Sequence, residues 1–185
     1  MHSVSQDYRL RTGIDKILWQ DTFNHAVLNN AKYIGVTSTM TVTVAGGFLN
    51  LNAGNAVASG NVARVQTFKT FSAFNTYPIY VDFKAKFTAA FQTNSVIEFG
   101  LGIATGVAAP TDGVFFRVVG GQLCAVINNS GAETLVADIF TPTIGKVYHY
   151  AISIGQDRCS FWVNDSIIAI IDTPNGLGSP CNSNA

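Results

Sequence analysis

Along most of this chain, apolar and polar residues alternate in short runs broken by glycine, asparagine and other turn formers. A period of two is the pattern of half-buried β-strands. The clearest case is residues 79–87, where Ile79, Val81, Phe83, Ala85 and Phe87 share one face and Tyr80, Asp82, Lys84 and Lys86 the other. Residues 37–44 alternate and are β-branched, Ala45-Gly46-Gly47 makes a turn, and residues 48–52 alternate again, so a hairpin is predicted. Residues 53–61, rich in Gly, Asn and Ala, read as loop, and residues 63–71 as strand. The run 96–103 is more continuously apolar, with glycines at 100 and 102, and 104–112 is loop. Further strands are predicted at 113–119, 123–128, 133–139, 147–154, 159–164 and 167–171. Residues 161–171 fix the fold class most firmly, because two β-rich runs flank the polar turn around Asn164-Asp165. Strands at this even spacing predict an all-β antiparallel sandwich. No stretch shows helical period with caps, and no internal repeat stands out.

Composition sharpens this picture. A chain of 185 residues suits one domain and a core large enough to need no staples. Only 12% of residues are charged, about half the usual share. The surface must therefore be built from Asn, Thr, Ser, Gly and Gln, which suits a protein packed against neighbours or displayed outside a cell. The net charge is zero, and no basic patch carries interleaved aromatics, so direct nucleic-acid binding is not expected. No apolar run approaches the roughly 18 residues of a membrane span. Met1–Asp7 lacks the basic and apolar segments of a secretory signal, so synthesis in a cytoplasm without signal-dependent export is expected. Residues 1–18 read as an arm apart from a sandwich domain over 19–185. Arg9, Arg11 and Lys16 interleave there with Ile14 and Ile17, as in a leader or an attachment segment that orders on a partner.

Candidate chemistry is sparse. Cys124, Cys159 and Cys181 form no metal-binding pair. Cys124 and Cys159 read as small core residues; a disulfide between them stays open, since spacing does not give geometry. His2, His25 and His149 do not cluster, and His149 reads as a core or interface residue, with Tyr148 and Tyr150 on the opposite face. The aromatics Phe68, Phe71, Phe74, Tyr77 and Tyr80 are expected mostly in core or interface. The glycines at 100, 102, 120 and 121 lack the strand–helix setting of a phosphate loop.

The order of strand, loop, Asp112–Arg117, a hairpin ending near Asn128, Tyr148–Ile152 and Phe161–Asp165 resembles the concanavalin A-like lectin/glucanase superfamily, a jelly-roll sandwich shared by laminin-G-like modules. The opening Trp19–Asn24 is similar to the start of many such modules. With Asn50–Asn52, Ile97–Leu101 and Phe161–Pro174, it also resembles uncharacterised virion proteins of tailed bacteriophages. In this superfamily a closing strand usually follows the Phe161–Ile171 type of hairpin, whereas Pro174–Ala185 carries little β pattern. The resemblance thus implies a sheet edge completed beyond this chain or by a neighbour.

Retaining glucanases of the superfamily carry clustered acids on one strand. This chain has only Glu98 and Glu133, on different strands. Glu98 reads as a paired or outward-facing strand residue, with Arg117 a candidate partner, rather than a catalytic acid. By the resemblance, Asp112, Asn128 and Asn129 are the oxygens of a calcium or glycan loop, against which Asp112-Gly113 also reads as a simple turn. The expectation is a non-enzymatic virion component without cofactor, whether capsid decoration, head fibre or tail appendage. It would associate with other virion proteins and with itself, while a carbohydrate-binding adhesion module, meeting cell-surface glycan, is the alternative. A glycan hydrolase is disfavoured.

Overall fold

A computed structural model describes residues 17–54, 58, 60–71 and 78–173. The described secondary structure is all β, in antiparallel sheets. The chain divides into two compact units, Met1–Phe71 and Ser72–Ala185. No feature of the sequence pattern marks that boundary.

The first unit holds β1 (Tyr33–Ser38), β2 (Thr41–Ala45), β3 (Phe48–Asn52) and β4 (Val62–Thr67). The predicted β2–β3 hairpin is present, turning at Gly46 and Gly47, whose positive φ values of 60° and 76° suit glycine. The strand expected over 37–44 is broken in two. Thr39 takes a left-handed φ of 61°, which ends β1; β1 then pairs with β4 and β2 with β3. Around the buried Tyr33, the rings of Trp19 and Phe23 pack with centroids 5.6 and 5.7 Å away. Its hydroxyl donates to Asp21 Oδ2 at 3.0 Å.

The second unit holds β5 (Ile79–Ala85), β6 (Val96–Ile103), β7 (Asp112–Val119), β8 (Gln122–Asn129), β9 (Ala132–Phe140), β10 (Tyr148–Ile154), β11 (Arg158–Val163) and β12 (Ser166–Asp172). These eight strands make two four-stranded sheets, ordered β6-β7-β8-β9 and β12-β11-β10-β5. One apolar core lies between them, so the unit is a β-sandwich. Phe99 and Phe116 from one sheet meet Tyr150 and Phe161 from the other, with ring centroids 5.0 to 5.5 Å apart. Val114, Phe116 and Val118 alternate inward on β7, as do Tyr148, Tyr150, Ile152 and Ile154 on β10. The predicted inward face of residues 79–87 packs against this same core.

The β11–β12 hairpin turns at Asn164 and Asp165, with left-handed φ values of 48° and 65°. The turn is tied back to β10. Asn164 N–H donates to the His149 carbonyl at 2.8 Å, and His149 N–H donates to Asn164 Oδ1 at 3.0 Å. Cys124 and Cys159 are both buried but are not bonded to each other. Cys159 sits in the main core, whereas Cys124 belongs to a second cluster with Phe115 and Val126.

Candidate functional site

Alternation along β7 and β8 puts two kinds of residue on two faces. Val114, Phe116, Ala125 and Ile127 enter the core, and Phe115, Arg117, Cys124, Val126 and Asn128 take the opposite face. Phe115, Cys124 and Val126 are nevertheless buried there. The chain's only two glutamates share this face. Glu98 stands beside Arg117 in the β6–β7 register, and Glu133 stands opposite Asn128 in the β8–β9 register.

Arg117 joins them. Its Nε donates to Glu98 Oε1 at 2.7 Å, and its two terminal nitrogens donate to the two oxygens of Glu133 at 2.7 Å each. To reach Glu133 it extends along the sheet, with its guanidinium carbon 5.4 Å from the Phe115 ring centroid. The paired Glu133 is the largest cause that raises the Arg117 pKa; burial opposes the shift, and Glu98 adds to it. In return, the Arg117 hydrogen bonds hold the Glu133 carboxyl below the usual carboxylate range. Burial works against that shift, while Arg117's charge and a bond from Asn128 support it.

The network continues to the residues expected in a calcium or glycan loop. Asn128 Nδ2 donates to Glu133 Oε1 and to the Pro110 carbonyl, each at 3.1 Å. Asp112 Oδ1 accepts the Ser130 backbone N–H at 2.8 Å, and its Oδ2 accepts the Thr111 hydroxyl at 3.2 Å. Asp112 and Asn128 thus stand together at one end of the sheet, both buried, with Asn129 half-buried at the end of β8. Their bonds fasten the 104–111 loop to the β8–β9 turn. One acceptor is left over, because Asn128 Oδ1 is buried with no hydrogen-bond partner. Among the described residues, no group of three His, Cys, Asp or Glu side chains is placed to hold a metal ion.

Other sequence candidates fall elsewhere. His149 is half-buried on the outer face of the β5-containing sheet, with Nε2 3.4 Å from Asp82 and Nδ1 3.6 Å from Asp165. Sequence reasoning missed those two carboxylates, since Asp82 comes from a distant strand. Of the aromatic run, Phe68 and Tyr80 are exposed rather than in a core, and Phe71 is half-buried. Tyr80 alternates with the inward Ile79 and Val81, which explains its position. Phe74 and Tyr77 lie outside the described residues, as do Arg9, Arg11, Ile14 and Lys16 of the expected attachment arm; Ile17 is exposed. Among the described residues, no helix is long and apolar enough to cross a membrane.

Compared with protein-family models, with curated proteins and with solved structures, the chain matches none.

Proposed function

We propose that this chain is a non-enzymatic structural component of a bacteriophage virion: a concanavalin A-like jelly-roll sandwich that assembles with other virion proteins and with itself. The observation that carries the non-enzymatic part is the Arg117 clamp. A glycosidase needs one carboxyl that can donate a proton and one carboxylate that is free to act. Here one guanidinium binds both glutamates, and it holds Glu133 in the ionised form that cannot donate. The virion part rests on the resemblance of the sequence and is supported by sparse charge. Mass spectrometry of purified phage particles tests it, with the chain expected at stoichiometric copy number. Particles that lack it would sink this reading.

A second reading, a carbohydrate-binding module, is favoured by one observation: the unpartnered Asn128 Oδ1 beside the ionisable Asp112. Glycan-array binding that disappears in Asn128→Ala would support it, and a negative array with the folded chain would remove it.

A further inference from the structure

The sandwich has four edge strands, β6, β9, β5 and β12. Two carry the irregularities that discourage another chain from pairing. β6, like β5, keeps an unbroken register with its neighbour, but its row of Val96, Glu98, Gly100 and Gly102 offers no complementary pair of charges. β9 shifts register against β8 and has a left-handed Asp138, with φ 53°. β12 shifts register against β11. By contrast β5 pairs with β10 without a shift from Ile79 to Ala85, and none of its residues has positive φ. Among the described residues, no strand pairs with its other side. Its core-facing residues Val81 and Phe83 remain only half-buried, although their partners Ile152 and Tyr150 are fully buried. Tyr80, Asp82 and Lys84 are exposed.

We infer that β5 is a dimerisation edge that pairs antiparallel with β5 of a second copy, in a register centred on Phe83. The charges select that register. With Phe83 opposite its copy, each Asp82 faces the partner's Lys84, and the arrangement occurs twice across the two-fold axis. A shift that centres the pair on Asp82 sets two carboxylates opposite each other. A shift that centres it on Lys84 brings each Asp82 opposite the partner's Lys86 but sets two ammonium groups opposite each other. Like charges directly across a strand pair are destabilising, so of these three registers only the one centred on Phe83 pairs opposite charges without a clash. On the inner face, the favoured register sets Val81 against the partner's Ala85 and extends both cores across the joint. The result is a continuous eight-stranded sheet closed by a two-fold axis. It specifies the self-association part of the proposed function.

The test uses the full chain. Analytical ultracentrifugation should show a concentration-dependent dimer. Asp82→Lys should raise its dissociation constant by about tenfold, and adding Lys84→Asp to that variant should restore it to within about threefold. Under oxidation, a mixture of Asp82→Cys and Lys84→Cys chains should form the mixed disulfide, while neither chain alone crosslinks, because like positions lie too far apart in this register. An oligomer whose affinity ignores these changes overturns the inference and leaves the virion reading standing. A chain that stays monomeric at all concentrations overturns it together with the self-association in that reading. Protection of the β5 amides from hydrogen exchange only when a different protein is added assigns the edge to that protein and overturns it as well.

Discussion

Arg117 holds Glu133 through two hydrogen bonds of 2.7 Å, one from each terminal nitrogen to each carboxylate oxygen. The pair spans β7 and β9, strands that do not pair with each other, and lies over Phe115 on the way. Removing the arginine leaves two carboxylates together on a face where Phe115 and Val126 are buried. Arg117→Ala is expected to cost about 2–3 kcal/mol, less than the ~3–5 kcal/mol of breaking a fully buried pair because Glu133 keeps some contact with water. Lysine cannot make the two-pronged contact, so Arg117→Lys should recover only part of the loss. Urea unfolding of both variants checks this.

The same pair sets a pH dependence. Glu133 titrates lower in the folded chain than its ordinary value because Arg117 donates to it. Its stabilising contribution is therefore full above the usual glutamate range, near pH 4.3, and is lost as pH falls through the lowered folded value. Asp21 in the first unit shifts the same way. Burial raises it, but the Phe23 N–H, the Tyr33 hydroxyl and the nearby Lys32 and His25 outweigh that effect. Urea midpoints measured from pH 7 to pH 3 should fall at the acid end. Glu133→Gln should be less stable at pH 7 and converge toward the parent as pH drops. A constant gap between the two would refute the linkage.

Tyr150 carries a hydroxyl into the centre of the core, where Oη is buried with no hydrogen-bond partner. Burial, with Tyr148 nearby, pushes its pKa up. Tyr150→Phe keeps the ring contacts with Phe99 and Phe116 and removes the unpaired polar atom. A gain of about 1 kcal/mol in unfolding free energy is expected. A loss of stability would mean that the hydroxyl has a partner in solution.

Gly100 marks a close approach of two backbones in the second unit. A Cβ there would lie 2.6 Å from Phe115 Cα and 2.7 Å from the Val114 carbonyl oxygen. Gly100→Ala must push β6 from β7 and is expected to cost about 1–3 kcal/mol. Thermal melts at pH 7 measure the loss.

Against the clean inward and outward faces of β5 and β10, Thr39 is instructive. Alternation over 37–44 reads as one strand, yet the left-handed turn at Thr39 divides it, because two different partners, β4 and β3, claim its two halves. Nothing local to that sequence favours a break, since threonine is a good strand former. Glu98 was legible as an ion-pair partner of Arg117, since both lie on neighbouring strands joined by one loop. The stronger grip on Glu133 was not, because it crosses an intervening strand. Asp112 and Asn128 were read together only as oxygens of a calcium or glycan loop; the use of both to fasten loops, and the acceptor left over, were not legible.

The sequence by itself determined most of the strands, their two faces and the Asn164-Asp165 turn, because side-chain alternation and turn chemistry act over a few residues. Tertiary structure alone decided which strands meet. Asp82 comes within 3.4 Å of His149, 67 positions away, because β5 pairs with β10. It likewise decided that one arginine binds the chain's only two glutamates. Such contacts depend on register and on the packing of both sheets around one core, and no short window of the chain encodes either.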